Sequence, residues 1–153
     1  MNKACAIVRQ YAPLAARILL AQVFIVSGVG KAMAFTKTAA YMTAMGLPLA
    51  SVLLILTVAL EAGGGVLLLA GWRARWLAAA FFCFTLITTV VFHAFWNAEP
   101  ANFPGQLNNF MKNLAIMGGM LYVIAYGSGP YSLSADECAP VTDPDVPRTT
   151  RKI

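Results

Sequence analysis

Five ionisable side chains lie within or at the ends of long apolar stretches of this sequence: Arg17, Lys31, Glu61, His93 and Lys112. Charged groups are costly at membrane depth, so they generally face the interior of a helix bundle, pair with one another, and mark sites of ligand binding or proton transfer. These residues are therefore the first candidates for chemistry.

Arg17 and Glu61 are predicted to form an ion pair between the first two apolar stretches. Glu61 lies ten positions from Gly71 and Arg17 six from Tyr11, which places them about 15 and about 9 Å from the same surface at the rise of a helix. An extended arginine bridges such a gap, and the pairing would offset the cost of burying the carboxylate. The pair would either lock the bundle or handle protons or substrate, and both roles stay open.

A polar pocket is predicted at the opposite end. His93 lies three positions before Trp96 and Lys112 three after Asn109, so both lie about 5 Å below the surface. Asn109 and Asn113 share one face of their helix, and Lys31 ends the first stretch at this level. Aromatic residues surround the set: Phe92, Phe95, Trp96 and Phe110. Such a pocket suits a quinone head group or another small planar polar ligand, with His93 or Lys112 donating to a carbonyl oxygen. A capped, snorkelling helix end is the alternative.

The residue types predict no intrinsic metal or haem. A single histidine cannot supply bis-His ligation, and His93 has no nearby Cys, Asp or Glu at zinc-site spacing. The cysteines, Cys5, Cys83 and Cys138, form no CxxC motif. We interpret them as unpaired thiols, with a redox dithiol of Cys5 and Cys138 as the alternative.

Transmembrane helices must position these residues. Of the 153 residues, 59% are hydrophobic and 11% charged, which is a membrane composition rather than a soluble one. A spanning helix needs about 20 mainly apolar residues, and the stretches at about 11–30, 48–71, 76–96 and 109–127 meet this requirement. The sequence predicts an all-α integral membrane four-helix bundle over residues 1–133, with a polar, disordered tail over 134–153.

The two longer links between spans have different characters. The stretch AFTKTAAYMTAMG is predicted to be a short amphipathic helix on the outer surface, ending at Gly46. The stretch NAEPANFPGQLN contains two prolines and a glycine and is predicted to be an irregular loop.

Basic residues predict the orientation. Eight of the eleven Lys and Arg residues fall at one end, and three at the other; the eight are Lys3, Arg9, Arg17, Arg73, Arg75, Arg148, Arg151 and Lys152. Because such residues accumulate on the cytoplasmic side, both termini and the Trp72–Arg75 turn are predicted to be cytoplasmic. A cleavable signal peptide ending near Ala34 is the weaker alternative, since Lys31 adjoins the site. The scattered charge forms no basic stripe of the kind that binds nucleic acid.

Short sequence pieces carry a family resemblance. They are Arg17 followed by FIVSGVGK, LEAGGGVLLLAGW around Glu61, FHAF around His93, FMKNLAIMGG around Lys112 and Asn113, and GSGPYSL. In this order, over roughly residues 15–133, they resemble the DoxX family of small bacterial membrane proteins. The resemblance implies a four-helix inner-membrane fold and an association with redox systems, because family members include the small subunit of a thiosulfate:quinone oxidoreductase and others are thought to work beside thiol or oxidative-stress enzymes. It carries over the pattern of Arg17, Lys31, Glu61, His93, Lys112 and Asn113.

We therefore expect a membrane subunit or partner of a quinone- or thiol/sulfur-linked oxidoreductase system. It would bind quinone, contain no intrinsic cofactor, and act with a soluble or membrane redox partner in the lipid; whether the chain itself is catalytic stays open. The first alternative is an oligomeric carrier of ions or small molecules, with a polar track through Arg17, Glu61, His93 and Lys112. The second is a structural assembly factor for a membrane complex.

Overall fold

The computed structural model describes residues 3–134, and these fold almost entirely into helices. One long helix and two short ones come first: α1 (Lys3–Met33), α2 (Phe35–Ala44) and α3 (Ala50–Val58). A π-helical turn, Ala59–Gly64, continues α3 directly into α4 (Gly65–Ala70). Two more long helices follow, α5 (Ala74–Phe92) and α6 (Phe103–Tyr126), with a short 3₁₀ turn at Phe95–Asn97 between them.

Three helical stretches are long and apolar enough to cross a membrane, namely Lys3–Met33, Ala50–Ala70 and Ala74–Asn97. The fourth long helix, α6, has 24 residues and at about 1.5 Å per residue is also long enough to cross, although its first half carries Gln, Asn and Lys. Large apolar side chains project outward from every span, among them Leu19, Ile55, Ile87 and Leu121. The predicted all-α membrane bundle is confirmed.

Two helices begin earlier than the predicted spans, and each of them contains a proline. α1 continues through Pro13 to Lys3, and α6 begins at Phe103 with Pro104 in its first turn. Proline fits a first helical turn because the amide hydrogen that it lacks has no helical partner there. The link predicted to be irregular through residue 108 is therefore already helical from Phe103.

The short α2 covers one end of the bundle. Gly46, at φ 78°, ends this segment with the paired backbone bonds of a Schellman motif, Gly46 N to Thr43 O at 2.9 Å and Leu47 N to Met42 O at 3.1 Å. Met42 packs against Ala50 and Leu54 of α3. The predicted short helix between the first two spans is confirmed, and we call the end that it covers the linker end.

The spans pack as two helical hairpins, α1 with the α3–α4 span and α5 with α6. Within the first hairpin the backbones are close: a Cβ on Gly28 would lie 2.7 Å from Ala62 N. The hairpins meet in an apolar core where the Phe24 and Phe81 rings are 4.0 Å apart. The buried members of this core are Ala21, Phe24, Leu68, Ala74, Ala78, Phe81, Met120 and Val123. This core occupies the half of the bundle nearer the N terminus of α1, which we call the terminal end.

The segment after α6 folds back over the terminal end. Leu133 N donates to Ala70 O at 3.0 Å, and Arg73 N donates to Ser134 Oγ at 2.7 Å. The Tyr11 and Tyr131 rings stack at 5.9 Å. The predicted disordered tail lies, apart from Ser134, outside the described residues.

Candidate functional site

The structure pairs Glu61 with Lys31 and not, as predicted, with Arg17. The Arg17 Nη2 atom donates to two backbone carbonyls, Pro130 O at 3.1 Å and Tyr131 O at 2.7 Å. The guanidinium is buried, 1% exposed, and it adjoins Gly71, where any side chain would collide with it. Arg17 thus anchors the segment after α6 at the terminal end.

The register between α1 and the second span explains this correction. Glu61 lies beside Gly28, since a Cβ on Gly28 would be 2.9 Å from the Glu61 Cβ. Gly28 is eleven residues beyond Arg17, about 16 Å along the helix. The prediction measured the depth of Arg17 from Tyr11, but α1 continues to Lys3 and Arg17 is level with Gly71.

The first wall of the candidate site is a compact polar cluster of Lys31, Glu61 and Ser27. Lys31 Nζ donates to both Glu61 carboxylate oxygens, at 2.7 Å to Oε1 and 2.6 Å to Oε2. It also contacts Ser27 Oγ at 2.6 Å, and Ser27 Oγ donates to Glu61 Oε1 at 3.2 Å. Glu61 is only 3% exposed, so this cluster supplies the compensation that a buried carboxylate requires.

The π-helical turn Ala59–Gly64 presents Glu61 to α1. A π turn shifts the register of the helix that follows it, and such turns are frequent at functional sites. Both Glu61 and Gly64 are buried. Glu61 contacts Lys31 and Ser27 of α1, and a Cβ placed on Gly64 would lie 3.2 Å from Phe81 Cζ of α5. This short turn therefore contacts α1 within its own hairpin and α5 of the other hairpin.

The second wall is formed by α5, α6 and the turn between them. His93 directly follows the last residue of α5, and its Nδ1 lies 3.0 Å from Gln106 Oε1. With Gln106 accepting from Nδ1, Nε2 accepts a hydrogen bond when the imidazole is neutral and donates one when it is protonated. Asn113 Nδ2 donates to Thr89 Oγ1 at 2.9 Å, and Lys112 Nζ donates to Asn109 Oδ1 at 3.0 Å.

A cavity of about 640 Å³ separates the two walls. Its polar lining comprises Gln22, Ser27, Lys31, Thr38, Thr57, Glu61, Thr85, Thr88, His93, Lys112 and Asn113. Its apolar and aromatic lining comprises Val23, Phe24, Val26, Tyr41, Met42, Phe84, Phe92 and Ile116. The structure thus brings Lys31, His93, Lys112 and Asn113 to one cavity. Asn109 stands behind Lys112 and does not itself line the cavity.

The lining residues Val23 and Val26 are exposed along α1. Lys112, on the opposite hairpin, lines the cavity as well and is also exposed. The cavity therefore opens sideways between α1 and α6, at a height where the surrounding helix surfaces are apolar. A molecule dissolved in the lipid could enter by this route.

Contacts between the helices show how the two walls align in depth. Phe81 is level with Phe24, through their ring contact, and with Gly64. One helical turn from these residues toward the linker end lie Thr85 on α5, Ser27 on α1 and Glu61 on the second span. Thr85 therefore lies across the cavity at about the depth of the Lys31–Glu61–Ser27 cluster.

Several residues of the site were not named from the sequence, among them Ser27, Thr85, Thr89 and Gln106. Ser27 precedes Lys31 by one helical turn, which was a usable signal. Thr85 and Thr89 are one turn apart on α5 and share a face, but uncharged hydroxyls in an apolar stretch attract little notice. Gln106 had been assigned to an irregular loop.

The cysteines do not meet within the described residues. Cys5 and Cys83 are exposed free thiols, and Cys138 lies outside residues 3–134, so the alternative dithiol with Cys5 stays a prediction. Over the same residues no group of three or more His, Cys, Asp or Glu side chains could hold a metal ion.

Comparisons with known proteins agree on one family. The family model described as DoxX matches residues 12–94, a stretch that includes Arg17, Lys31, Glu61 and His93. The inner membrane protein YqjF of Escherichia coli K12 is 41% identical over 122 residues, which cover 78% of this chain and 87% of that protein. The inner membrane protein YphA of the same organism is 34% identical over 120 residues, covering 78% and 86%. No solved structure matches significantly.

Proposed function

The chain belongs to the DoxX family of integral inner-membrane proteins, and on that premise we propose that it binds the head group of a lipid-soluble quinone in the cavity between its two hairpins. It would serve there as the membrane partner of an oxidoreductase system. The observation that carries the proposal is the cavity itself, with polar groups on two facing walls and aromatic side chains between them.

The lining fits the chemistry of a quinone. Quinone carbonyl oxygens accept hydrogen bonds. Lys112 and the Asn113 amide offer donors on one wall, and the polar Lys31–Glu61–Ser27 cluster forms the facing wall. Phe84 and Phe92 supply flat apolar surface for the ring. The volume of about 640 Å³ lies within the range of roughly 300–1,000 Å³ that small-molecule sites occupy.

The side opening favours a ligand that arrives through the lipid. The exposed residues beside it on α1, Val23 and Val26, are apolar, so an isoprenoid tail could remain in the bilayer while the head group enters. The chain's own groups would bind and orient the ring and shield it from water. A bound quinone would supply the electron-accepting chemistry, and a partner protein would supply the electrons.

No observation favours the carrier alternative. A polar track would have to pass from Glu61 to Arg17, but the described region between them is filled by apolar side chains, including Phe24, Leu68 and Phe81. Arg17 itself is occupied with the Pro130 and Tyr131 carbonyls. An assembly factor is distinguished by the binding experiment, because it needs no quinone.

The binding test compares two lysines. The protein in nanodiscs of phosphatidylethanolamine and phosphatidylglycerol is titrated with radiolabelled decylubiquinone, a quinone with a short tail. Lys112→Met removes a cavity donor and is expected to weaken binding about tenfold or more, the effect of losing one hydrogen bond from a charged group. Lys37→Met removes an exposed lysine of α2 outside the cavity lining and should leave binding within twofold. Equal binding by both variants would contradict the proposal.

We also propose that the terminal end faces the cytoplasm, because Arg17, Arg73 and Arg75 lie there and short cytoplasmic loops collect basic residues. In a variant whose other cysteines are replaced by serine, Cys5 should resist a membrane-impermeant maleimide in intact spheroplasts and react after lysis. A single cysteine introduced by Lys37→Cys on α2 should react in intact spheroplasts. The reverse pattern would invert the orientation.

A further inference from the structure

The hydroxyl of Thr85 is a buried polar group without a partner in the described part of the chain. Thr85 lies on α5, is 4% exposed, and lines the cavity. Its Oγ1 makes no hydrogen bond among residues 3–134. Buried side-chain hydroxyls are normally satisfied, so an exception inside a cavity indicates a missing ligand group.

The neighbouring threonines show what a satisfied hydroxyl looks like on the same helix. Thr88 Oγ1 donates to Phe84 O at 3.0 Å and to Thr85 O at 3.1 Å. Thr89 Oγ1 donates to Thr85 O at 2.6 Å and accepts from Asn113. A helical threonine usually bonds in this way to a carbonyl one turn back. Of these three residues, Thr85 alone has a hydroxyl that makes no hydrogen bond among the described residues.

The location of Thr85 gives its hydroxyl a specific use. It lies at about the depth of Ser27 and of the Lys31–Glu61 pair, on the facing wall. A planar ring between these walls would therefore meet polar groups on both sides at the deep end of the cavity. A hydroxyl can donate to a carbonyl oxygen and accept from a hydroxyl group, so one residue suits both a quinone and its quinol.

We propose that Thr85 Oγ1 is a ligand-binding group that holds one oxygen of the head group, while the Lys31–Glu61–Ser27 cluster faces the oxygen on the other side of the ring. This inference rests on the proposed quinone site and deepens it, because it selects ligands with oxygens on opposite sides of a planar ring. Thr85 thereby becomes a specificity-determining residue.

The test uses substitutions that change little except the hydroxyl. Thr85→Val keeps the shape of the side chain and removes Oγ1, and it should weaken decylubiquinone binding in nanodiscs about five- to thirtyfold, the effect of leaving one ligand oxygen unpaired. Thr85→Ser keeps the hydroxyl and should bind within about threefold of wild type. Thr43→Val is the control, because the Thr43 hydroxyl is bonded to Ala39 O within α2 and Thr43 is not part of the cavity lining; its binding should stay within twofold.

Thermal stability without ligand separates binding from folding. Removing an unpaired hydroxyl should leave the melting temperature of Thr85→Val equal to or above that of wild type, while the rise in melting temperature with decylubiquinone should shrink. A lower melting temperature without ligand would mean that the hydroxyl is a structural group, and would overturn the inference.

The outcomes for the two proposals are distinct. If wild-type protein binds no decylubiquinone, the proposed function fails and this inference fails with it. If wild-type protein binds and Thr85→Val binds equally well, the quinone site stands and the role of Thr85 is overturned.

Discussion

At the scale of single residues, Lys31 links the polar side chains of α1 and the second span. Its ammonium touches both oxygens of the buried Glu61 carboxylate and lies at the rim of the cavity, with 30% of its side chain exposed. A buried carboxylate is tolerated only with such a partner. The same ammonium is thus both a structural counter-ion and part of the cavity lining.

This dual role predicts a strong dependence between the two residues. Lys31→Met should lower the free energy of unfolding by about 3 kcal/mol, because it leaves a buried charge without its partner. The double variant Lys31→Met/Glu61→Gln should recover most of that loss. The measurement is unfolding in mixed detergent micelles for the two single variants and the double variant. Additive losses would show that the two groups do not act as a pair.

Sequence reasoning identified the polar residues of the site better than their pairing. Lys31, Glu61, His93, Lys112 and Asn113 stand out because polar groups in apolar stretches are conspicuous. The partner of Glu61 depends on the register between α1 and the second span, which the contact of Gly28 with Ala62 determines. The Thr85 hydroxyl makes no hydrogen bond among the described residues. The sequence could not predict this, because no spacing rule says which hydroxyls bond to backbone carbonyls.

At the scale of elements, close contact between α1 and the π-helical turn positions the carboxylate. Gly28 has backbone and Cβ atoms of the second span within 3.2 Å of where a side chain would begin. Gly30, two residues on, has open space around it. The two glycines therefore form a natural comparison on one helix.

Gly28→Ala should separate α1 from the second span, lower thermal stability by several degrees, and weaken quinone binding, because the backbone at Ala62 must move. Gly30→Ala should be neutral or slightly stabilising, since alanine favours the helix and meets nothing. Melting temperatures in nanodiscs with and without decylubiquinone give both effects. Equal behaviour of the two variants would contradict the close contact described here.

The number and type of elements followed from the apolar stretches, whereas their ends and internal irregularities did not. The first and fourth spans were predicted to begin at residues 11 and 109, but α1 begins at Lys3 and α6 at Phe103. The π turn at Ala59–Gly64 contains no proline and no run of polar residues. One uninterrupted span was predicted over residues 48–71, and this turn was not foreseen.

At the scale of the whole molecule, two hairpins pack tightly at the terminal end and leave a cavity toward the linker end. Arg17 and the segment after α6 close the tight end, and α2 covers the other, where Tyr41 stacks on Phe92 at 5.9 Å. The open side faces the apolar surroundings of the spans. This arrangement suits a ligand held within the membrane better than one that passes through it.

The most direct test of a quinone site is equilibrium binding of decylubiquinone to the wild-type protein, with empty nanodiscs as the control for partition into lipid. We predict saturable binding that approaches one quinone per chain above the control and is displaced by unlabelled quinone. Uptake that rises linearly and matches the empty nanodiscs would contradict the account, and the cavity would then need a different occupant.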